Sequence, residues 1–390
     1  MSCLNQRVSA GGLKQAGIAF KDMFSSSRGI RVITAVLAVN LLGGCATSVA
    51  HNPSAQGTNP GSTATPSTTP TFDTAPLTGV QYESGTNTFL AGPVVMGKID
   101  NSPEARPQLG LSHADIVIDE MVEGGLTRFL AIWHSKMPVE FGPIRSVRPM
   151  DPDLATAFGG IISYSGGQRP FVAAMKATGL YNADETSEVG KGTMERVSNR
   201  VAPHNLFVKA QNLQAAHLKL AAPKLAFTFS TNSATSSAGT SGKPAVDVKA
   251  QFPAATALWT WNGTAWARTQ DGKIMTDAVD GKQLTAQNVL VLRVAVDRSF
   301  KDPRYGFVPK TLLEGTGTGT VFSAGKAIRV TWTKTTANSY VKLTDSAGAE
   351  IKLAPGNTWF ELVPSDVGKV TIDSPKRAAD GITATPTPKK

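Results

Sequence analysis

Seven arginines fall between positions 100 and 205: Arg106, Arg128, Arg145, Arg148, Arg169, Arg196 and Arg200. Several adjoin turn residues, as in Arg106-Pro107, Arg148-Pro149 and Gly167-Gln168-Arg169-Pro170. A guanidinium is a rigid planar fork that can grip a carboxylate or phosphate through two parallel hydrogen bonds, which an ammonium cannot do. Placed on loops, such groups are candidates for a ligand site. The same stretch carries Asp100, Asp115, Asp119, Glu120, Glu123, Asp151 and Asp153, so the arginines could equally tie loops together. We expect Glu123, Arg128, Arg145, Arg148 and His204 to line one cleft, with Arg106 and Asn205 as further ligand-binding residues.

A glutamate and a histidine can act as acid and base on a glycan or peptide, which makes Glu123 and His204 the catalytic candidates. The sequence carries no nucleophile elbow, no His-Glu-x-x-His metal motif and no Ser/His/Asp spacing beside them. His113 and His134 stand alone, and no metal or cofactor is expected. Gly124-Gly125 and Gly166-Gly167 could bring backbone N–H groups close to an anion.

Those residues need elements to hold them. Val94-Val95-Met96, Ala114-Asp115-Ile116-Val117-Ile118 and the run 126–133 read as strands. Asp151 followed by Pro152 reads as a capped helix start, 170–177 as a helix ending near Gly179, and 206–220 as an amphipathic helix. Strands and helices without regular alternation favour α+β for a first unit over 79–229. The polar stretch 230–244 reads as a linker. A second unit over 245–373 is expected to be mainly β. Its Trp259-Thr260-Trp261-Asn262-Gly263-Thr264-Ala265-Trp266 places Asn-Gly between alternating aromatic runs, a hairpin signal. Five of the six tryptophans lie in this unit; core and cross-strand packing is the expectation for them, ahead of carbohydrate stacking.

Gly142-Pro143-Ile144-Arg145-Ser146-Val147-Arg148-Pro149, together with Ile99-Asp100-Asn101, Ala105-Arg106-Pro107-Gln108, Glu123-Gly124-Gly125-Leu126-Thr127-Arg128-Phe129 and Ala202-Pro203-His204-Asn205-Leu206, resembles the YerB-like family of bacterial lipoproteins. The resemblance implies an α+β N-terminal domain followed by a mainly β C-terminal domain. It implies no particular reaction.

The start of the chain says where such a protein works. Arg28 and Arg31 precede a short apolar run, 32–42, which ends in Leu42-Gly43-Gly44-Cys45. This pattern reads as a secretory signal over 1–44, a compact 23–44 when translation starts at Met23, and Leu-x-Gly-Cys looks like a lipobox that makes Cys45 the lipidated residue. The run is shorter than the about 20 residues that span a bilayer. Residues 45–78, rich in Ser, Thr and Pro, read as a disordered tether, and 374–390 as a loose basic tail. Cys3 is the other cysteine, so the processed chain has no pair for a disulfide.

The formal charge is +10, and removing 1–44, with five basic residues against Asp22, lowers it by four to +6. That modest excess suits an anionic envelope polymer or lipid surface and does not point to nucleic acid, whose binders concentrate charge in a stripe. The leading expectation is a lipid-anchored protein on the outer face of the cytoplasmic membrane. It would bind an anionic wall component or an envelope protein through the arginine-rich face. The alternatives are an envelope hydrolase or transferase acting on glycan, and a scaffold for wall assembly.

Overall fold

The computed structural model describes residues 70–303 and 306–375. The signal segment, Cys45, the tether up to residue 69 and the tail from 376 lie outside the described residues. Ordered chain begins ahead of the expected boundary at 79. β1 (Phe72–Thr74) pairs antiparallel with β2 (Gln81–Glu83), and Ala75 and Leu77 between them are fully buried. Gly356 N–H donates to Thr78 O at 2.8 Å, which ties this entry segment to the far end of the chain.

β3 (Val95–Asp100), β4 (Ile116–Met121) and β5 (Thr127–Trp133) follow, then the short β6 (Glu140–Phe141). Next come α1 (Asp151–Ala155), β7 (Ile161–Tyr164), α2 (Arg169–Lys176), β8 (Tyr181–Asp184) and α3 (Glu185–Glu188). β9 (Met194–Arg196), β10 (Leu206–Lys209) and α4 (Ala210–Ala216) close the first half. The stretch 206–220, expected as one helix, is therefore a strand and then a helix. Leu206, Phe207 and Val208 are all buried, and β10 is clasped by β6 and β9, so tertiary pairing overrides the helical spacing. Asp151 lies inside α1 rather than capping it; its carboxylate accepts the Arg148 N–H at 2.5 Å.

The expected linker is ordered as well. Asn232 Oδ1 accepts from Thr235 N at 3.1 Å and Ser236 Oγ from Gly239 N at 3.0 Å, capping one turn and then α5 (Ser237–Ser241). Ser and Asn satisfy backbone groups at helix starts, so a composition that reads as a tether builds capped turns here. β11 (Lys243–Pro244), β12 (Asp247–Gln251), β13 (Thr256–Trp261), β14 (Trp266–Gln270), β15 (Lys273–Ile274), β16 (Thr285–Ala286) and β17 (Asn288–Asp297) follow. β18 (Lys301–Asp302), β19 (Gly306–Phe307), β20 (Lys310–Leu312), β21 (Gly315–Ser323) and β22 (Lys326–Lys334) come next. β23 (Lys342–Thr344), β24 (Thr358–Pro364) and β25 (Lys369–Asp373) complete the chain. Strand outweighs helix throughout, and the first half is not clearly α/β.

The two halves share one sheet. Its order is β11-β22-β21-β17-β24-β4-β5-β3-β7-β8, with β20 and β23 attached at the side. β24 from the second half pairs in parallel with β4 from the first, Thr358 opposite Ile116 and Leu362 opposite Glu120. β3, β4, β7, β8, β17 and β24 all run one way, with β5 and β21 opposed. Such strands must be apolar on both faces. Val289-Leu290-Val291-Leu292 and Ile116-Val117-Ile118 are buried throughout, each side chain contributing about 1.5–3 kcal/mol.

A second sheet, β12 to β16 with β25, covers one face. The expected hairpin forms, with Trp261 opposite Trp266. Trp133, Trp259, Trp266 and Trp359 are fully buried, which is the packing role. Between the sheets the Arg268 guanidinium lies 4.8 Å from the Trp359 ring and 5.0 Å from that of Trp259. It pairs with Asp119 Oδ2 at 2.6 Å and with Glu361, all three side chains without solvent exposure.

Candidate functional site

The other face of the sheet carries a charged cluster at its carboxyl end, the usual place for a crevice in open sheets of parallel strands. Because side chains alternate along a strand, Lys98 and Asp100 near the end of β3 share one face. Asp100 also stands opposite Arg128 at the start of β5. The β4–β5 turn, Glu123 to Gly125, sets Glu123 at the rim. Gly125 has φ +73°, and a Cβ there would stand 2.6 Å from Pro253, so the turn needs glycine. The segment with Arg145 and Arg148 is laced between strands. Arg145 N donates to Lys98 O at 2.7 Å, and Ser165 N donates to Arg145 O at 3.0 Å.

These elements enclose an open cleft of about 770 Å³, lined among others by Asp100, Glu123, Arg128, Arg145, Arg148 and Arg169. Arg148 Nε donates to Glu123 Oε2 at 2.8 Å, and its Nη1 donates to Val147 O at 3.0 Å. Burial pushes the Glu123 carboxyl upward, but the Arg148 guanidinium outweighs this and holds it below its ordinary value. Arg145 Nε stands 3.0 Å from Asp100 Oδ2, the oxygen that also meets His204 Nδ1 at 2.7 Å. Burial works against the Asp100 charge too, yet the Ser102 N–H, Arg145 and His204 bring its carboxyl below the ordinary range.

Arg128 differs from its neighbours. Nη1 donates to Ser146 O at 3.1 Å, and among the described residues no carboxylate lies within ion-pair distance of it. Burial, then the charges of Arg148 and Arg145, lower its guanidinium to about 10, with Glu123 and Asp100 only partly offsetting them. Beneath the cleft, fully buried Lys98 donates to Asp151 Oδ1 at 2.7 Å and contacts Glu120. Burial lowers this ammonium to about 8 against the pull of Asp151.

Four of the five residues expected in one cleft are thus brought together: Glu123, Arg128, Arg145 and Arg148. His204 stands behind the lining, turned onto Asp100. Arg106 is elsewhere; Nη2 donates to Asn101 O at 2.6 Å and Nη1 to Asp271 at 3.0 Å, a contact with the second half of the chain. Asn205 serves its own loop, accepting from Arg196 at 2.6 Å and donating to Val197 O at 3.1 Å. Arg169, one of the loop arginines, lines the cleft as well, and Ser102, Asp100 and Lys98 belong to it or its floor without being among the expected site residues. The alternation of Lys98 and Asp100 at the end of an apolar strand is the signal that places them. Among the described residues no group of three or more His, Cys, Asp and Glu side chains could hold a metal ion, and no helix is long and apolar enough to cross a membrane.

Residues 77–222 match the family model described as "Protein of unknown function (DUF3048) N-terminal domain", and 246–360 match the corresponding C-terminal domain. The chain is 30% identical over 296 residues to a Bacillus subtilis (strain 168) protein named "Putative lipoprotein YerB", covering 74% of this chain and 86% of that one. It is also similar to the crystal structure of the YerB protein from Bacillus subtilis, with a TM-score of 0.65 and 25% identity. That match covers 76% of this chain and 99% of the other.

Proposed function

The chain belongs to the two-domain DUF3048 family, and from that premise we propose that it is a lipid-anchored envelope protein whose arginine cleft binds an anionic envelope component. The observation that carries this reading is Arg128, a guanidinium without a carboxylate partner among the described residues and crowded by Arg145 and Arg148. An incoming anion would relieve that repulsion, and charge-assisted bonds to it are among the strong ones. The anchor rests on Leu42-Gly43-Gly44-Cys45 and on the lipoprotein name of the relative. Cleavage of glycan by Glu123 and His204 has less support: Glu123 is held ionised by Arg148, the reverse of a general acid, and His204 does not line the cleft.

Purified cell wall provides the test. The processed protein should be retained and released by salt, and Arg128→Met with Arg145→Met should abolish retention while the fold persists. Unchanged retention by the double variant would overturn the assignment of this face. Separately, Cys45→Ser should release the protein from membranes; normal membrane retention would overturn the anchor.

A further inference from the structure

We infer that the group this cleft receives is a phosphomonoester, a dianionic phosphate carried on a sugar or polyol, rather than a carboxylate or a phosphodiester. This rests on the anion-binding reading and narrows it. The first argument is charge. Arg128, Arg145, Arg148 and Arg169 line the cleft, while Asp100 and Glu123 neutralise Arg145 and Arg148. Asp302, also on the wall, carries an interaction of its own. Arg128 and Arg169 are left without a carboxylate partner among the described residues, and a dianion can meet both guanidiniums where a carboxylate or diester supplies one charge.

The second argument is the supply of donors. Arg148 donates Nε to Glu123 and Arg145 holds Nε at ion-pair distance from Asp100, so the Nη groups of Arg145 and Nη2 of Arg148 remain for a ligand. Arg128 commits only Nη1, and Arg169 is exposed without a partner among the described residues. Forks reaching the cleft from β5, from the segment 142–150 and from the start of α2 suit the three terminal oxygens of a phosphomonoester, whereas one carboxylate is filled by one or two guanidinium edges. The third argument is size. The cleft greatly exceeds a phosphate, and Val122, Leu126 and Pro170 give it an apolar wall. The phosphate must therefore be the charged end of a larger molecule.

Isothermal titration of the processed protein with glycerol 3-phosphate, dimethyl phosphate and glucuronate tests this. Glycerol 3-phosphate should bind at least about tenfold more tightly than the other two. Arg128→Lys, which keeps the charge and loses the fork, should remove most of that preference. Arg169→Ala serves as a second variant, because its exposed side chain has no structural partner to lose; it should weaken glycerol 3-phosphate by about three- to tenfold. Equal binding of all three probes would overturn the phosphomonoester and leave the anion reading standing. No binding of any probe, together with no retention on cell wall, would overturn both. Vesicles containing phosphatidate identify the source. Binding to them that glycerol 3-phosphate competes away points to a lipid headgroup. Glycerol 3-phosphate binding without vesicle binding points to a soluble ester or a polymer end.

Discussion

Arg268→Met is expected to cost about 4–6 kcal/mol of stability and to make the remaining stability depend steeply on pH. Arg268 is the only cation of a solvent-free triad with Asp119 and Glu361, and it also stacks on three aromatic rings, those of Phe129, Trp259 and Trp359. Removing one partner of a buried ion pair costs about 3–5 kcal/mol, and the lost ring contacts add about 1 kcal/mol. One guanidinium cannot neutralise two carboxylates, and burial, then Glu361, drive the Asp119 carboxyl well above its ordinary value. The native state therefore holds a proton there that the unfolded chain releases. Stability from this source is full below the unfolded value near 4 and is lost as pH rises through the native one. Without Arg268 the Asp119 carboxyl loses the one charge that favours its ionised form, so its native value climbs further and the fall with pH is prolonged. A proton held there sets a fall of about 1.4 kcal/mol per pH unit. Urea unfolding followed by tryptophan fluorescence at pH 5.5 and 7.5 reads both effects, since Trp259 and Trp359 report on the triad directly. Holding the Asp119 proton across that interval, the variant should lose up to about 2.7 kcal/mol between the two conditions, and more than the parent loses. A total cost under about 1 kcal/mol, or the same cost at both pH values, would refute the reasoning.

Glu123→Gln removes a negative charge from the cleft, so an anionic wall polymer should be held more tightly and elute at higher salt. Stability should fall by about 1–3 kcal/mol, because the mostly buried Arg148 pair loses a charge while the amide oxygen remains as an acceptor; weaker retention would show that Glu123 contacts the ligand itself. His134, fully buried with Nε2 3.2 Å from Gly92 O, is lowered by burial to about 4. It must fold neutral, so it contributes stability above pH 6.5 that disappears as pH falls toward 4. His134→Gln should flatten the acid limb of stability by up to about 3 kcal/mol, and an unchanged limb in urea titrations from pH 7 to 4 would assign that loss to other groups.

Local signals made the cleft partly legible. Glu123, Arg145 and Arg148 sit on turns flanking strong apolar runs and Arg128 at the start of one, so strand patterning alone brings them near one sheet end. Arg106 carries the same turn signature but reaches Asp271, a partner far along the chain that leaves no local trace. His204 is expected in the cleft as an acid/base partner of Glu123, yet its hydrogen bond to Asp100 holds it behind the lining. The capped turns at 232–241 were hidden by composition, since Ser, Thr and Gly form tethers and caps alike. The union of the halves was the least legible feature. β4 and β24 are buried on both faces, so neither shows the alternation that would set a partner or register.

That union bears on how the protein comes to be made. β24 lies at the centre of the large sheet but near the end of the chain, and it separates β4 from β17. As the chain emerges from its N-terminus, the first half arrives with β4 exposed as an unpaired edge and with Asp119 lacking its cation. It must wait for nearly all of the remaining sequence before either is satisfied. Closing so long a loop before any reward makes folding slow, and an apolar edge left open meanwhile invites pairing with other chains. The matched domains are thus two segments of one sheet, and neither can finish it alone.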